Sequence, residues 1–252
     1  MQVEPTWGLG VALVVLVLIA VAASAVGHLR EQRRIVLAAG RAVVQLAAVS
    51  LVIAAALASL WWSAVVALVM VSVAVLTATR RTDAGHAWPW VALALLTGLV
   101  PVLTVVFASG AVPWQGAALV PIAGIVTGGA MTALSLAGRR AFAALRDERG
   151  AYEAALSVGI PRREAIRLVV DRHLPEALLP GMDQTRTVGL VTLPGAFIGV
   201  MLGGGTPVQA GAAQILVLCG LLAAQTLTVV TVGALVRRGR LLPADLRREL
   251  PT

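Results

Sequence analysis

The sequence predicts an all-α, polytopic transmembrane helical bundle of about seven spans, with its N-terminus outside and its C-terminus in the cytoplasm. Three observations carry this. Of 252 residues, 59% are apolar and 13% charged, with a mean hydropathy of +0.91. A soluble domain carries roughly 25% charged and about 45–50% apolar residues, so the excess is too large for one aqueous core to hide. The apolar residues also run in uncharged stretches one or two bilayer crossings long, and arginines stand at alternate ends of the crossings.

A bilayer core of roughly 30 Å needs about 20 helical residues to cross it. Gly8–Gly27 fits one span, and HLREQRR (28–34) follows. Ala42–Thr79 is long enough for two spans, with SLWWS (59–63) as the hairpin and Trp61 and Trp62 suited to the interface. After RRTDAGH (80–86), Ala87–Gly138 is broken by SGAVPW (109–114) into a fourth and a fifth span. Thr187–Val236 is split by GGGTP (203–207) into a sixth and a seventh, with Thr206 as N-cap and Pro207 as first helical residue. MQVEPTW carries Glu4 and no basic flank, so the first segment is expected to remain in the mature protein.

All 20 basic residues are arginine, clustered at 28–41, 80–81, 139–186 and 237–248, while the hairpins near 61, 111 and 205 hold none. The positive-inside rule puts the basic ends in the cytoplasm, in keeping with a multi-pass protein of the cytoplasmic (inner) membrane. This placement accounts for the net charge of +8 through the membrane, without a nucleic-acid partner. The whole chain, 1–252, reads as one transmembrane domain with a cytoplasmic loop at about 139–180.

Several chemistries find no support in the residues. Without lysine, no G-x-x-x-x-G-K-[ST] phosphate loop exists, so any ATP must be bound by another chain. His28, His86 and His173 lack metal-ligand spacing and read as cytoplasmic surface residues. Cys219, in an apolar run, reads as a small packing residue. No nucleophile triad, H-E-x-x-H or paired carboxylate points to an enzyme.

The loop is patterned. Phe142, Leu145, Tyr152 and Leu156 form one helical stripe, and Ile166, Val169, Val170 and Leu174 form a second after Gly159 and Pro161. Two amphipathic helices around a Gly-Ile-Pro break suit either an extension lying on the bilayer or a docking element for a cytoplasmic partner.

Inside the spans the polar residues are uncharged. Gln45 lies one turn beyond Arg41; Thr127, Met131 and Ser135 align on the fifth span; Gln214, Gln225 and Thr228 share a face of the seventh. Such stripes line a pathway or bond between helices. Gly124, Gly128 and Thr132, and likewise Gly195, Gly199 and Gly203, are small-residue stripes of the helix-packing kind. Pro194 falls mid-span in GLVTLPG, where it is expected to kink the helix and free the Leu190 carbonyl. A freed carbonyl at membrane depth needs protein or a cavity beside it, which makes Thr192, Pro194 and Gly195 candidates for a gate or solute contact as well as a plain kink.

Four stretches together resemble the FetB-type permeases, the membrane subunits of an iron-export ABC system. They are RAVVQL (41–46), PIAGIVTGGAM (121–131), EAALSVGIP (153–161) and, most specific, GLVTLPGAFIGVMLGGGTPVQAGAAQI (189–215). EAALSVG also resembles the E-A-A-x-x-x-G motif by which ABC-importer permeases dock a short helix on their ATPase; the Leu174-Pro175 pair comes about one turn later than in that motif.

The resemblance implies a permease exporting a metal ion or other small solute, with a cytoplasmic ABC ATPase that holds ATP and Mg and a second permease copy as its partners, all at the lipid bilayer. Glu153, Ala154, Ala155, Gly159 and Pro161 would couple to the ATPase; Gln45, Met131, Thr192, Pro194, Gly195 and Met201 would line or gate the path. Gly128-Gly129 stands where the family commonly has Gly-Asn, and Ala196, Phe197 and Val200 replace a Met-rich, Gln-containing patch. Met131 and Met201 remain as soft ligands, and the identity of any metal site is open. Plant aluminium-tolerance permeases resemble the same family, so the solute does not follow from the resemblance. Two rivals stand beside this reading: a self-contained carrier or channel, and a non-transporting membrane assembly protein.

Overall fold

The structure, a computed structural model, describes residues 6–250, without the side chains of residues 52 and 54–58. Glu4, on which retention of the first segment rests, lies outside the described residues. The chain forms two units, Met1–Ala56 and Leu57–Thr252.

In the first unit, α1 (Trp7–Val26) is apolar all round and buries only Ser24. Such a helix is stable in lipid or against other helices, not in water. Ser24 ties the turn that follows: its Oγ accepts from the Glu31 N–H at 3.3 Å and its carbonyl from the Leu29 N–H at 3.0 Å. His28 and Arg30 take left-handed conformations in this turn (φ 53° and 56°). The next helix, α2 (Gln32–Ala58), begins well ahead of Ala42, so that Arg33, Arg34 and Arg41 ride on its first turns. Long arginine side chains permit this because their heads reach water from a helix end.

In the second unit Ser59 leaves helical geometry (φ −140°, ψ 132°) and α3 (Leu60–Arg81) follows, so the helical chain breaks within the expected SLWWS segment. Then come α4 (Trp88–Ala108), α5 (Gly116–Asp147), α6 (Arg149–Ser157), α7 (Arg162–Val170), α8 (Leu179–Thr187), α9 (Gly195–Leu202), α10 (Pro207–Arg237) and α11 (Ala244–Glu249). The fifth helix packs on α3, α4 and α10, and α10 packs on α4 and α5. Small residues at the crossings, among them Ala94, Ala130, Ala133 and Ala224, are wholly buried and let the backbones come close. A Thr97–Thr231 hydroxyl pair at 2.9 Å links α4 to α10. Thr206 caps α10 as expected: its Oγ1 accepts from the Gln209 N–H at 3.3 Å, and the Gln209 amide oxygen accepts from the Thr206 N–H at 2.9 Å.

Among the described residues six helices are long and apolar enough to cross a bilayer: α1 to α5 and α10. The expected sixth span is not one kinked helix. Its place is taken by α8, an irregular stretch at 188–194, and α9. Gly189 turns left-handed (φ 80°), its N–H reaching the Thr192 carbonyl at 2.8 Å, and Pro194 is extended (φ −71°, ψ 154°) just ahead of α9. Pro194 therefore starts a new helix instead of bending an old one, consistent with the bias of a pre-proline residue away from helix. An eight-residue helix spans about 12 Å, well short of a bilayer core.

The apolar positions of 139–180 turn inward, but the first expected stripe is split at Glu148, with Phe142 and Leu145 on α5 and Tyr152 and Leu156 on α6. Phe142, Leu145, Tyr152, Ile166, Val169, Val170 and Leu174 are buried, and Leu156 packs at the edge of the same core. Ion pairs knit its surface, Arg140–Glu176 at 2.8 Å, Arg146–Asp245 at 2.7 Å and Arg172–Glu148, and His173 Nε2 lies at hydrogen-bond distance from Glu148, 3.0 Å. His173 is thus half-buried in a polar network and not a free surface residue.

Of the two small-residue stripes, Gly124 stands close to the Met70 side chain of α3, whereas a Cβ on Gly128, Gly195 or Gly199 would meet nothing within 4 Å. The approaches to α10 occur at Gly98, Gly129 and Gly181, whose Cβ positions are already occupied by that helix. Cys219 is exposed on the outer face of α10, because the packed face of that helix runs through Gln214, Leu218, Leu221 and Gln225.

Candidate functional site

The interrupted α8–α9 segment runs beside the polar face of α10. Gln214, Gln225 and Thr228 are at most 6% exposed, and Thr127 of α5 is 4% exposed. The side-chain oxygens of all four are buried without a hydrogen-bond partner. Buried polar groups are ordinarily paired; three of these oxygens share one face of α10, while Thr127 lies on α5 and a further unpaired hydroxyl, Thr79 Oγ1, on α3.

The local packing explains why these amides sit where they do. Gly181 of α8 has no side chain, and the Gln225 amide occupies the space a Cβ would take. Gly129 of α5 stands on the other side, where a Cβ would overlap Leu221 and approach Gln225 Nε2 to 3.1 Å. The glutamine is held between two glycines on two helices.

Further along α10, away from the basic end, a cavity of about 950 Å³ opens between α5, α9 and α10. Its walls are mostly apolar, with Gln184 of α8 and Gln214 of α10 as amides and Pro194, Gly195 and Gly199 along one edge. That volume lies near the top of the usual range for small-molecule sites, about 300–1,000 Å³. Such a chamber, with two amides in an apolar wall, is suited to orienting a partly apolar solute by hydrogen bonds.

Of the residues expected to line or gate a path, Pro194 and Gly195 lie on this cavity. Thr192 is exposed and its carbonyl closes the turn with Gly189. Met201 is 37% exposed on α9, and Met131 packs beside the large core cluster at the basic half of the bundle. Gln45 is exposed on α2 in the first unit. Among the described residues, no three His, Cys, Asp or Glu side chains form a group able to hold a metal ion. Gln184 was missed by sequence reading because it precedes the apolar run; Gln214 and Gln225 were legible as one face.

At the basic end, Glu153, Ala154, Gly159 and Pro161 are exposed, while Ala155 is buried against the core. Glu153 pairs with Arg149 one turn back, at 2.8 Å. Gly159 ends α6 in a left-handed conformation (φ 82°); its N–H bonds the Leu156 carbonyl at 2.9 Å and the Ile160 N–H bonds that of Ala155 at 3.0 Å, a Schellman stop. Tyr152 anchors the helix underneath, and burial raises its phenol pKa against the opposing effect of Arg162. Val158, at the tip, is 75% exposed. Sequence reading missed it, although an apolar residue directly before a helix-stopping glycine is a visible signal.

The chain belongs to the family described as Uncharacterised protein family (UPF0014), whose profile matches residues 7–240. It is 32% identical over 221 residues to UPF0014 membrane protein STAR2 of Oryza sativa subsp. japonica, covering 86% of this chain and 78% of that one. It is 32% identical over 171 residues to Protein ALUMINUM SENSITIVE 3 of Arabidopsis thaliana, covering 68% and 63%. With the Probable iron export permease protein FetB of Escherichia coli (strain K12) it shares 31% identity over 138 residues, covering 55% and 53%. No solved structure matches it. The protein is a multi-pass membrane protein of this family, as expected for the cytoplasmic membrane.

Proposed function

We propose that this UPF0014 member is the permease subunit of an ABC transporter, its residues 1–252 acting as one permease domain with the N-terminus outside. It exports a metal ion or other small solute from the cytoplasm, working as a pair of permeases. ATP and Mg are held by a separate ATPase chain. The similarity to a relative named as an iron export permease supports this, and one observation carries it: the exposed helix α6, stopped by Gly159 and tipped by Val158. A short rigid helix anchored from below by Tyr152 and Ala155 is built to transmit displacement of a partner seated on its outer face. The solute would pass by the cavity beside Pro194, Gly195 and Gln214. Apolar walls with two amides favour a partly apolar solute over a bare hard cation, which takes mainly anionic or carbonyl oxygens.

The test is co-purification in detergent with an ABC ATPase co-expressed from the same genome, comparing wild type with Val158→Asp and Glu153→Ala. Both side chains point outward, so each variant should keep the wild-type melting temperature. Loss of the complex in Val158→Asp and its weakening in Glu153→Ala is the expected result. Equal binding by all three forms, or solute movement by the purified chain with no ATPase present, overturns the proposal.

A further inference from the structure

The basic end carries a second cavity, of about 320 Å³, lined by Arg162, Arg163, Arg237, Arg238 and Arg240. Two turns bring these side chains together. Pro161 sets Arg162 and Arg163 in the first turn of α7. The tenth helix stops at Gly239 (φ 67°), where the Gly239 N–H reaches the Val236 carbonyl at 2.8 Å and the Arg240 N–H that of Leu235 at 2.9 Å. Arg240 then folds back, its guanidinium carbon 4.5 Å from the centre of the Trp90 ring.

Arginines at the end of α10 complement its dipole, but Arg162 and Arg163 sit at the start of α7, where positive charge is disfavoured. Helix electrostatics therefore does not explain the cluster. Nor do local carboxylates. Among the described residues Asp171, 2.6 Å from Arg237, is the acidic partner of the five. Arg162 donates to the Tyr152 hydroxyl, yet its Nε is buried with no partner. Five arginines line one cavity with a single carboxylate partner; Arg237 is held by Asp171 and Arg240 lies over Trp90, which leaves Arg162, Arg163 and Arg238 to face an anion.

We propose that this cavity binds a phosphate ester anion. Guanidinium forks match phosphate oxygens two at a time, and several of them together select that group over a monovalent halide. The cavity lies where α10 leaves its apolar stretch and where Trp88 and Trp90 open α4, the level at which tryptophans mark the membrane interface. Headgroup phosphates lie at that level, and basic pockets between helices on the cytoplasmic side take anionic headgroups. An anionic phospholipid is the occupant the position favours; a soluble phosphate offers the same chemistry.

The purified chain in neutral detergent is titrated with short-chain phosphatidylglycerol, short-chain phosphatidylcholine and inorganic phosphate, and binding is read from the thermal melting shift. Phosphatidylglycerol should bind in preference to phosphatidylcholine. Arg163→Gln/Arg238→Gln should bind it about thirtyfold more weakly, while Arg80→Gln/Arg81→Gln, which removes equal charge elsewhere, should bind like wild type. On the wild type itself, phenylglyoxal modification mapped by mass spectrometry should show Arg163 and Arg238 protected by the lipid. Protection by inorganic phosphate with no lipid preference would assign the same site to a soluble phosphate. Equal weakening by both double variants, or no protection by either probe, overturns the proposal. Should the pocket variant not fold, the wild-type protection decides alone.

Discussion

Replacing Gly98 by alanine tests a close backbone approach between α4 and α10. A Cβ at Gly98 would stand 2.5 Å from the Ala224 carbonyl oxygen and would also overlap Thr228 Oγ1. The threonine hydroxyl can turn away, but the carbonyl belongs to the α10 backbone and cannot. Restoring ordinary contact, which begins near 3.4 Å, would part α4 and α10 by roughly 0.9 Å. A gap of about 0.5–1 Å already forfeits a quarter to a half of each dispersion contact along the seam, and overpacking of this kind costs about 1–3 kcal/mol. Alanine also gains about 1 kcal/mol of helix propensity over glycine, so the reference must be another helical glycine. Gly128→Ala supplies it, because a Cβ there meets nothing within 4 Å. Propensity cancels between the two, leaving Gly98→Ala about 1–3 kcal/mol less stable. At about 2–4 °C per kcal/mol for a chain of this length, it should melt about 2–12 °C below Gly128→Ala. The monodisperse fraction surviving a temperature series on size exclusion gives the reading. Coincident curves would mean that α4 and α10 do not meet at Gly98.

Two further outcomes follow from the basic end. Gly159→Ala forces a side chain into left-handed geometry, at about 1–2 kcal/mol. In the same melting assay the order should be wild type, then Gly159→Asn, then Gly159→Ala, since asparagine tolerates that conformation better. Burial raises the Asp245 pKa, but hydrogen bonds from Arg146 and the Leu246 N–H outweigh it and hold the carboxyl below its ordinary value. The stability this contributes is present above the unfolded value of about 3.9 and is lost as pH falls through the folded value. Amide exchange over 244–249, compared at matched intrinsic rates, should accelerate on acidification below about pH 4 in wild type, and Asp245→Asn should lack that step.

The parts legible in the sequence are those decided within a few residues. Phe142 and Leu145 at the end of α5 and Tyr152 on α6 are buried as their apolar character predicts, although they fall on two helices and not on one, and Thr206-Pro207 starts α10 because cap and first-turn chemistry are local. Pro194 was read wrongly for the converse reason. A proline in an apolar run has two local solutions, a kinked helix or a fresh helix start. The choice rests on Gly189 turning left-handed five residues earlier, which no apolar periodicity encodes. The glycines show the same limit. A stripe such as Gly124, Gly128, Thr132 says that a face is small and nothing about what meets it, whereas Gly98 stands alone in LALLTGLVPV and is a contact because Ala224 lies opposite.

The strongest argument for the site lies in where the costs fall. Each buried, unpaired polar group costs about 1–3 kcal/mol. Thr127, Gln214, Gln225 and Thr228 incur that cost. The interruption at 188–194 gives up helical hydrogen bonds in an apolar segment, a second departure from local stability. Thr79 of α3 is unpaired as well, but the oxygens of Gln214, Gln225 and Thr228 share one face of α10, and two of these residues lie against the segment around the break. Gln214 and Pro194 line one chamber, and Gln225 rests against Gly181 of the helix that leads into the break. Concentrated violations of local rules are expected where a chain does work rather than where it merely packs. On the permease reading proposed above, a solute crossing this face would supply the hydrogen bonds that the resting residues lack.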